Sequence, residues 1–260
     1  MINVLVVGDV VSSVGREYFK KCVRKIKSSI SLDLVVANGE NSSKYNGISP
    51  NSANDLFSYG ADVITTGNHV FRNRMTYSML DDNPYFIRPA NYEGFEFGKG
   101  YAVIDNLSYK ILVINLAGTV YMNEEASNPF LKAEKIISEN SDCKVVLIDF
   151  HAEATSEKIA LGKHLDGKIS ALWGTHTHVQ TADEQILPLG TGYITDLGMT
   201  GPEDSVLGVR SDIIIGRFRD GDTSRFEMAE GKAIFNGALL RIDEKTGKCS
   251  QIQRICYKEG

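Results

Sequence analysis

The chain has 260 residues, 42% hydrophobic and 23% charged, with a formal net charge of -5. That length can bury a substantial core as one domain spanning 1–260, and charges scattered among apolar runs mark a globular protein rather than a disordered one. The acidic balance excludes the broad basic face that nucleic-acid binding usually needs, so no stable nucleic-acid complex is expected, while a small phosphate ester stays open as a substrate.

Ile2 to Val7 is a short, β-branched apolar run ending at Gly8-Asp9, the pattern of a strand buried on both faces with Asp9 at its carboxyl end. After it, Phe19, Cys22, Val23, Ile26 and Ile30 recur at helical spacing, with Lys20, Lys21, Arg24, Lys25 and Lys27 on the other faces. This predicts an amphipathic helix with a solvated basic side. Leu32 to Ala37, Asp62 to Thr66, Ile111 to Leu116, Lys144 to Phe150 and Ile169 to Trp173 repeat the strand signal, each running into polar or glycine-containing residues. Such alternation predicts an α/β layered fold with largely parallel strands near the start. Ile213 to Arg217 and Gly231 to Ile242 are expected as antiparallel meander, so the sheets should be mixed. No internal repeat or Pro/Gly/Ser-rich linker divides the chain.

No apolar run approaches the roughly 20 residues of a bilayer span, and Met1 to Val7 lacks the basic flank of a signal peptide, so a cytoplasmic protein without membrane contact is expected. Cys22, Cys143, Cys249 and Cys256 form no C-x-x-C pair and are expected as free thiols, a Cys249–Cys256 disulfide being disfavoured. A homo-oligomer stays open.

Ligand-type residues fall where strands end. Gly8-Asp9, Asn38-Gly39-Glu40-Asn41, Gly67-Asn68-His69, Phe150-His151 and Gly174-Thr175-His176-Thr177-His178 all follow predicted strands, and in open α/β sheets the loops there converge on one crevice. Four of the five histidines belong to this set. The fifth, His164, sits among lysines and reads as a surface residue. Imidazole nitrogen with carboxylate and amide oxygen suits Fe, Mn, Zn or Co better than calcium or a thiolate zinc site. Two ions roughly 3.5 to 4 Å apart need a bridging carboxylate, for which Glu40 is the candidate. A single-metal site would need three protein ligands and a water; six candidates exceed that, and six ligands on one ion would leave no place for substrate. Thr155-Ser156-Glu157 is read as a helix cap rather than a nucleophile cluster, and Trp173 as core rather than a stacking platform. The stretch from Asp196 to Gly208 is expected as an ordered loop near the pocket.

Gly67-Asn68-His69 and Gly174-Thr175-His176-Thr177-His178 resemble the signature blocks of the calcineurin-like metallophosphoesterases. The wider chain resembles their YmdB-like bacterial cyclic-nucleotide phosphodiesterase branch, from Gly8-Asp9-Val10-Val11 through Arg88-Pro89-Ala90-Asn91-Tyr92, Phe150 to Lys158 and Gln180 to Glu184, as far as Thr195 to Pro202. The resemblance implies a layered αββα sandwich with mixed sheets. It implies a first metal on Asp9 and His178, a second on Asn68, His151 and His176, with Glu40 shared, His69 as catalytic residue and Asn41 beside the first metal or on the phosphate. Iron or manganese would fill the sites. The implied reaction is hydrolysis of a small phosphodiester, a 2′,3′- or 3′,5′-cyclic nucleotide, with His69 as an imidazolium protonating the leaving oxygen. The alternatives are a phosphomonoesterase, nucleotidase or phosphoprotein phosphatase with the same site, or a metal-bound regulatory protein with vestigial activity.

The chain also departs from the family pattern. Val10 and Val11 follow Asp9 where the superfamily has a histidine, so water or Asn41 is expected to complete the first site. Glu40 replaces the superfamily's bridging aspartate, and Val70 stands where an acid commonly orients the catalytic histidine. Ser12-Ser13-Val14-Gly15-Arg16 differs from the branch's usual stretch, leaving Arg16 either a phosphate contact or a structural residue of the helix start.

Overall fold

The computed structural model describes residues 1–44, 47–106, 109–123 and 125–260. Its strands in chain order are β1 (Ile2–Val7), β2 (Asp9–Val10), β3 (Leu34–Asn38), β4 (Val63–Thr65), β5 (Tyr101–Asp105), β6 (Lys110–Ala117) and β7 (Val145–His151). They continue with β8 (Ala171–Thr175), β9 (Gln185–Ile186), β10 (Gly192–Ile194), β11 (Met199–Pro202), β12 (Ala233–Ile242) and β13 (Cys249–Lys258). The α-helices are α1 (Ser12–Ser29), α2 (Pro50–Ser58), α3 (Tyr77–Asp82), α4 (Pro129–Glu139), α5 (Thr155–His164) and α6 (Ser211–Asp220).

Two mixed sheets stack face to face. In one, β1, β3 and β4 run parallel, β12 lies antiparallel beside β1, and β13 pairs along the other edge of β12. In the other, β6, β7, β8 and β10 run parallel, with β5 and β9 antiparallel at its edges. β1 shows why such strands are apolar throughout. Val4 and Val6 pack between the sheets while Leu5 and Val7 pack under α1 and α2, so both faces are covered. On the outer side of the second sheet, Ile114, Ile148 and Leu172 meet Ala133 and Ile136 of α4 and Leu161 of α5. The result is the expected αββα order of layers.

The predicted basic amphipathic helix is α1. It buries Phe19, Cys22, Val23 and Ile26 at i, i+3, i+4 and i+7, and each large apolar side chain so buried contributes roughly 1.5–3 kcal/mol. Trp173 is 2% exposed and packs in the inter-sheet core, as read from the sequence.

Ile213 to Arg217, read as strand, lies within α6, which buries none of its residues. Three consecutive isoleucines mimic a strand, but Ile214 and Phe218, one turn apart, line the same cleft, and the helix stops at Gly221 in the left-handed conformation (φ 72°). Thr155-Ser156-Glu157 does open α5, yet Ala154 is the capping position and no side chain caps there. Glu157 instead accepts bonds from Thr119 N and Oγ1, both at 2.9 Å, tying α5 to the loop after β6. All four cysteines are free, Cys249 and Cys256 included. Among the described residues no helix is long and apolar enough to cross a membrane.

Candidate metal centre

The carboxyl ends of β1, β3, β4, β7 and β8 deliver the ligand-type residues to one edge of the sandwich. Asp9 follows β1 at once, Glu40 and Asn41 follow β3, Asn68 and His69 follow β4, His151 ends β7, and His176 and His178 follow β8. Asp9, Glu40 and His151 have at most 1% exposure. Gly67 is the only residue type that fits under this cluster, because a Cβ there would lie 2.2 Å from the His151 ring and 2.4 Å from Glu40 Oε2.

One half of the cluster closes around His151. Its Nε2 lies 3.0 Å from Glu40 Oε1, 3.1 Å from Asn68 Oδ1 and 3.0 Å from His176 Nδ1. Glu40, His151 and His176 together offer three ligand atoms within 4.8 Å of one another. The ring orientations are set from behind. His151 Nδ1 is 2.9 Å from Thr175 Oγ1, and His176 Nε2 is 3.3 Å from Glu153 Oε2.

The other half is looser. His178 Nε2 stands 3.6 Å from Asp9 Oδ1, beyond hydrogen-bond reach, and 3.2 Å from Asn41 Nδ2. Its Nδ1 donates to the Leu207 carbonyl at 3.0 Å, which keeps the Nε2 lone pair turned inward. His176 and His178 both have positive φ, 102° and 64°, conformations that cost a non-glycine residue of order 1–3 kcal/mol. Surrounding bonds hold them. His176 N donates to Asp9 Oδ2 at 3.1 Å and Thr177 N to Asp196 Oδ2 at 3.3 Å, and Asp196 is itself paired with Lys158 at 2.7 Å in full burial.

The donor set fits a cation. Asp9 Oδ1 is buried without any hydrogen-bond partner. Burial pushes the Asp9 and Glu40 carboxyls up, but the histidines beside them outweigh it, holding Asp9 well below the ordinary range and Glu40 down to about 2. Burial pulls the His151 ring down, and Glu40 and Asp9 outweigh it to push the ring up to about 9. Burial and His151 hold His176 down to about 4. The oxygens thus call for positive charge at a place where His176 offers a lone pair. A proton on His151 Nε2 can satisfy one neighbour. A metal ion can accept from His151, His176, Asn68 and Glu40 together.

His69 lies on the wall of a cavity of about 410 Å³ shared with Glu40, Asn41, His176 and His178. Its Nδ1 is 2.9 Å from Asn41 Oδ1 and 3.6 Å from Glu40 Oε1, and its backbone N donates to Glu40 Oε2 at 3.1 Å. Asn41 therefore stands where Val70 supplies no acid. The opposite wall is apolar, built from Val206, Leu207, Ile214, Phe218, Phe226 and Met228. Within the stretch expected as a loop, Met199–Pro202 forms β11, pairing with β2 and β12, and beyond it Val206 and Leu207 reach the pocket.

Two other residues lie apart from this cluster. His164 is on the surface, 2.9 Å from Glu134. Arg16 bonds Asp55 at 3.0 Å and the Ser42 carbonyl, so it clamps the loop that carries Glu40 and Asn41. Sequence reasoning missed Thr175 as the partner of His151, Glu153, the Leu207 carbonyl and the Lys158–Asp196 pair. It also missed Asp149, a fully buried acid two residues before His151 on the same strand face. Burial pushes the Asp149 carboxyl up to about 6, opposed by Thr65, His151 and Thr175.

Residues 5–255 match the model of the YmdB-like protein family. The chain belongs to that family. It is 44% identical over 259 residues to a 2′,3′-cyclic-nucleotide 2′-phosphodiesterase of Bacillus subtilis, covering 99% of this chain and 98% of that protein. The crystal structure of a novel phosphatase from Mycoplasma pneumoniae superposes with a TM-score of 0.94 at 34% identity, covering 99% of this chain and 93% of the other. A Haemophilus influenzae NAD nucleotidase, 12% identical with a TM-score of 0.59, covers 99% of this chain and 56% of its own length, a likeness of fold alone.

Proposed function

We propose that the chain, acting as one cytoplasmic domain, is a binuclear-metal phosphodiesterase of small cyclic nucleotides. The observation that carries this reading is the enclosure of His151 Nε2 by three acceptors beside the orphaned Asp9 Oδ1, at the rim of a cavity of about 410 Å³. That volume falls in the range of small-molecule sites and suits a mononucleotide better than a protein segment. The likeness to the Bacillus subtilis enzyme names the substrate class, a 2′,3′-cyclic nucleotide, with 3′,5′-cyclic nucleotides next. Four free thiols suit a reducing compartment.

In this reading Glu40, Asn68, His151 and His176 hold one ion and Asp9 and His178 the other, with Glu40 shared and Asn41 beside the second pair. Imidazole with carboxylate and amide oxygen favours iron or manganese. Bound there, such ions would supply positive charge for the phosphoryl oxygens and would ease ionisation of a water nucleophile. The chain's own part is to place the phosphate between these ligands and His69, to cover the sugar and base with the apolar wall, and to deliver a proton. His69, its Nδ1 held by Asn41, donates that proton to the departing sugar oxygen.

The test pairs elemental analysis of gently purified protein with turnover of 2′,3′- and 3′,5′-cyclic nucleotides, a bis-aryl phosphate and phosphomonoesters. About two metal equivalents and preference for cyclic diesters are expected. Preferential monoester turnover would overturn the substrate assignment in favour of a nucleotidase or phosphatase.

A further inference from the structure

Behind the candidate centre lies a buried polar chain. Asp149 accepts from Thr175 Oγ1 at 2.7 Å on one carboxylate oxygen, and from Asn38 Nδ2 at 3.2 Å and the Thr65 hydroxyl on the other. Asp149, Asn38, Thr65 and Thr175 are all 0% exposed. An acid in the middle of the apolar run Val145–Phe150 is costly unless its bonds serve a purpose.

Counting protons gives the chain a direction. A neutral imidazole that offers a metal its Nε2 lone pair carries its proton on Nδ1, which in His151 lies 2.9 Å from Thr175 Oγ1 and donates to it. Thr175 Oγ1, so occupied, sends its single hydroxyl proton on to Asp149, 2.7 Å away. The other ring nitrogen faces Glu40, Asn68 and His176 as a lone pair. Asp149 also reaches the carboxylate side of the centre, because Asn38, which donates to it, accepts from the Glu40 backbone N at 3.2 Å.

We infer that Asp149 is a positioning residue which, through the Thr175 hydroxyl, fixes the Nδ1–H tautomer of His151 and aims its Nε2 lone pair at the metal. The inference rests on the reading that His151 is a ligand. It separates three substitutions that look alike in size. In Asp149→Asn the new amide can turn its NH₂ toward Thr175, which reverses the chain, sends the hydroxyl proton to His151 Nδ1 and leaves the neutral ring protonated on Nε2. Thr175→Val breaks the chain without reversing it. Thr175→Ser keeps the hydroxyl and should restore it.

The experiment uses the full chain with zinc as a diamagnetic probe, at pH 7.5, in competition with a chromogenic chelator. Histidine-labelled NMR spectra of the zinc-loaded protein report the Nδ1–H proton of His151. Partners of this kind typically contribute 10–100-fold in metal affinity. Asp149→Asn should therefore weaken zinc by about that factor. Thr175→Val should lose less affinity and the protected Nδ1–H signal, and Thr175→Ser should return both close to wild type. His151→Ala separates the two ideas. If it loses zinc while Asp149→Asn and Thr175→Val keep wild-type affinity, the role of Asp149 is overturned and the ligand reading stands. If His151→Ala itself binds zinc like wild type, both fall. Equal losses in Thr175→Ser and Thr175→Val would also overturn the inference, since bulk rather than the hydroxyl would then matter.

Discussion

The two halves of the candidate centre are built from the same residue types and to different tolerances. Around His151, three acceptors lie at 3.0–3.1 Å from one nitrogen, and the ring is backed by a fully buried hydroxyl and carboxylate. Around His178, the Asp9 oxygen is 3.6 Å away and the ring is held by a loop carbonyl at Leu207. The first half is preorganised by the sheet, the second by loops. A centre so divided should keep one metal tightly and exchange the other.

Breaking what the halves share should have the largest effect. Glu40 Oε1 contacts His151 Nε2 at 3.0 Å and accepts at 3.4 Å from Asn41 Nδ2, the atom that also meets His178, so Glu40→Gln removes a charge that both halves touch. Activity should fall by more than about 10²-fold together with metal content, read by elemental analysis after reconstitution with manganese or iron. Full activity with wild-type loading would show that no shared carboxylate is needed. His69→Ala should come next, separating chemistry from metal holding. Metals should stay, kcat on a cyclic nucleotide should drop by about 10²–10⁴, and a nitrophenyl diester, whose leaving group needs little protonation, should suffer less. Equal losses on both substrates would instead make His69 a phosphate-holding residue.

His151→Ala and His178→Ala strip one imidazole from each half in turn. The former should lose the tightly held metal and the latter should retain about one equivalent that resists a chelator. The reverse order would show that the anchor at the Leu207 carbonyl, not the buried backing, sets affinity.

How much of this was legible in the sequence divides along the same line. β1 was readable to its ends at Ile2 and Val7, because a strand covered on both faces must be apolar throughout. The residues gathered at the candidate centre were readable as a cluster because strand ends collect them and short motifs carry them. The atoms that orient the ligands were not. The Leu207 carbonyl has no side-chain signature and lies 29 residues from His178. Thr175 was quoted within a motif, but its bond to Asp149 crosses from one strand to the next. Asp149 did leave a trace, a charged residue inside Val-Val-Leu-Ile-Asp-Phe-His, two positions before a ligand and so on its face. α6 misled because three isoleucines carry a strand-like composition, while its packing is decided by a cleft that only the folded chain creates.

A smaller and more general effect is expected where the loop bearing both His176 and His178 is anchored. Lys158→Met leaves Asp196 buried and without its cation, a change that typically costs about 3–5 kcal/mol. A denaturant melt should show that loss. Retained metal in the native fraction would mean the bonds from His176 N and Thr177 N suffice to hold the loop once folded.

The smallest effect expected is on thiol reactivity, and it decides whether the larger ones are local. Only the thiolate attacks a disulfide reagent. Burial pushes the Cys22 and Cys249 thiols up to about 11 and raises Cys143 as well, while Cys256 is exposed. At pH 8 a thiol raised that far is ionised in only about one molecule in 10³, and its sulfur is also shielded. A disulfide reagent should therefore titrate one thiol of four quickly in the native protein, and all four in denaturant. Raising the pH toward 11 should speed the buried thiols only as far as their ionisation allows, since shielding persists. A variant of Glu40, His151 or His178 that loses metal yet keeps one fast thiol has lost a ligand and nothing else. A variant in which Cys22, under α1, becomes fast has opened the helix layer, and its metal loss then says nothing about which half of the centre is tighter.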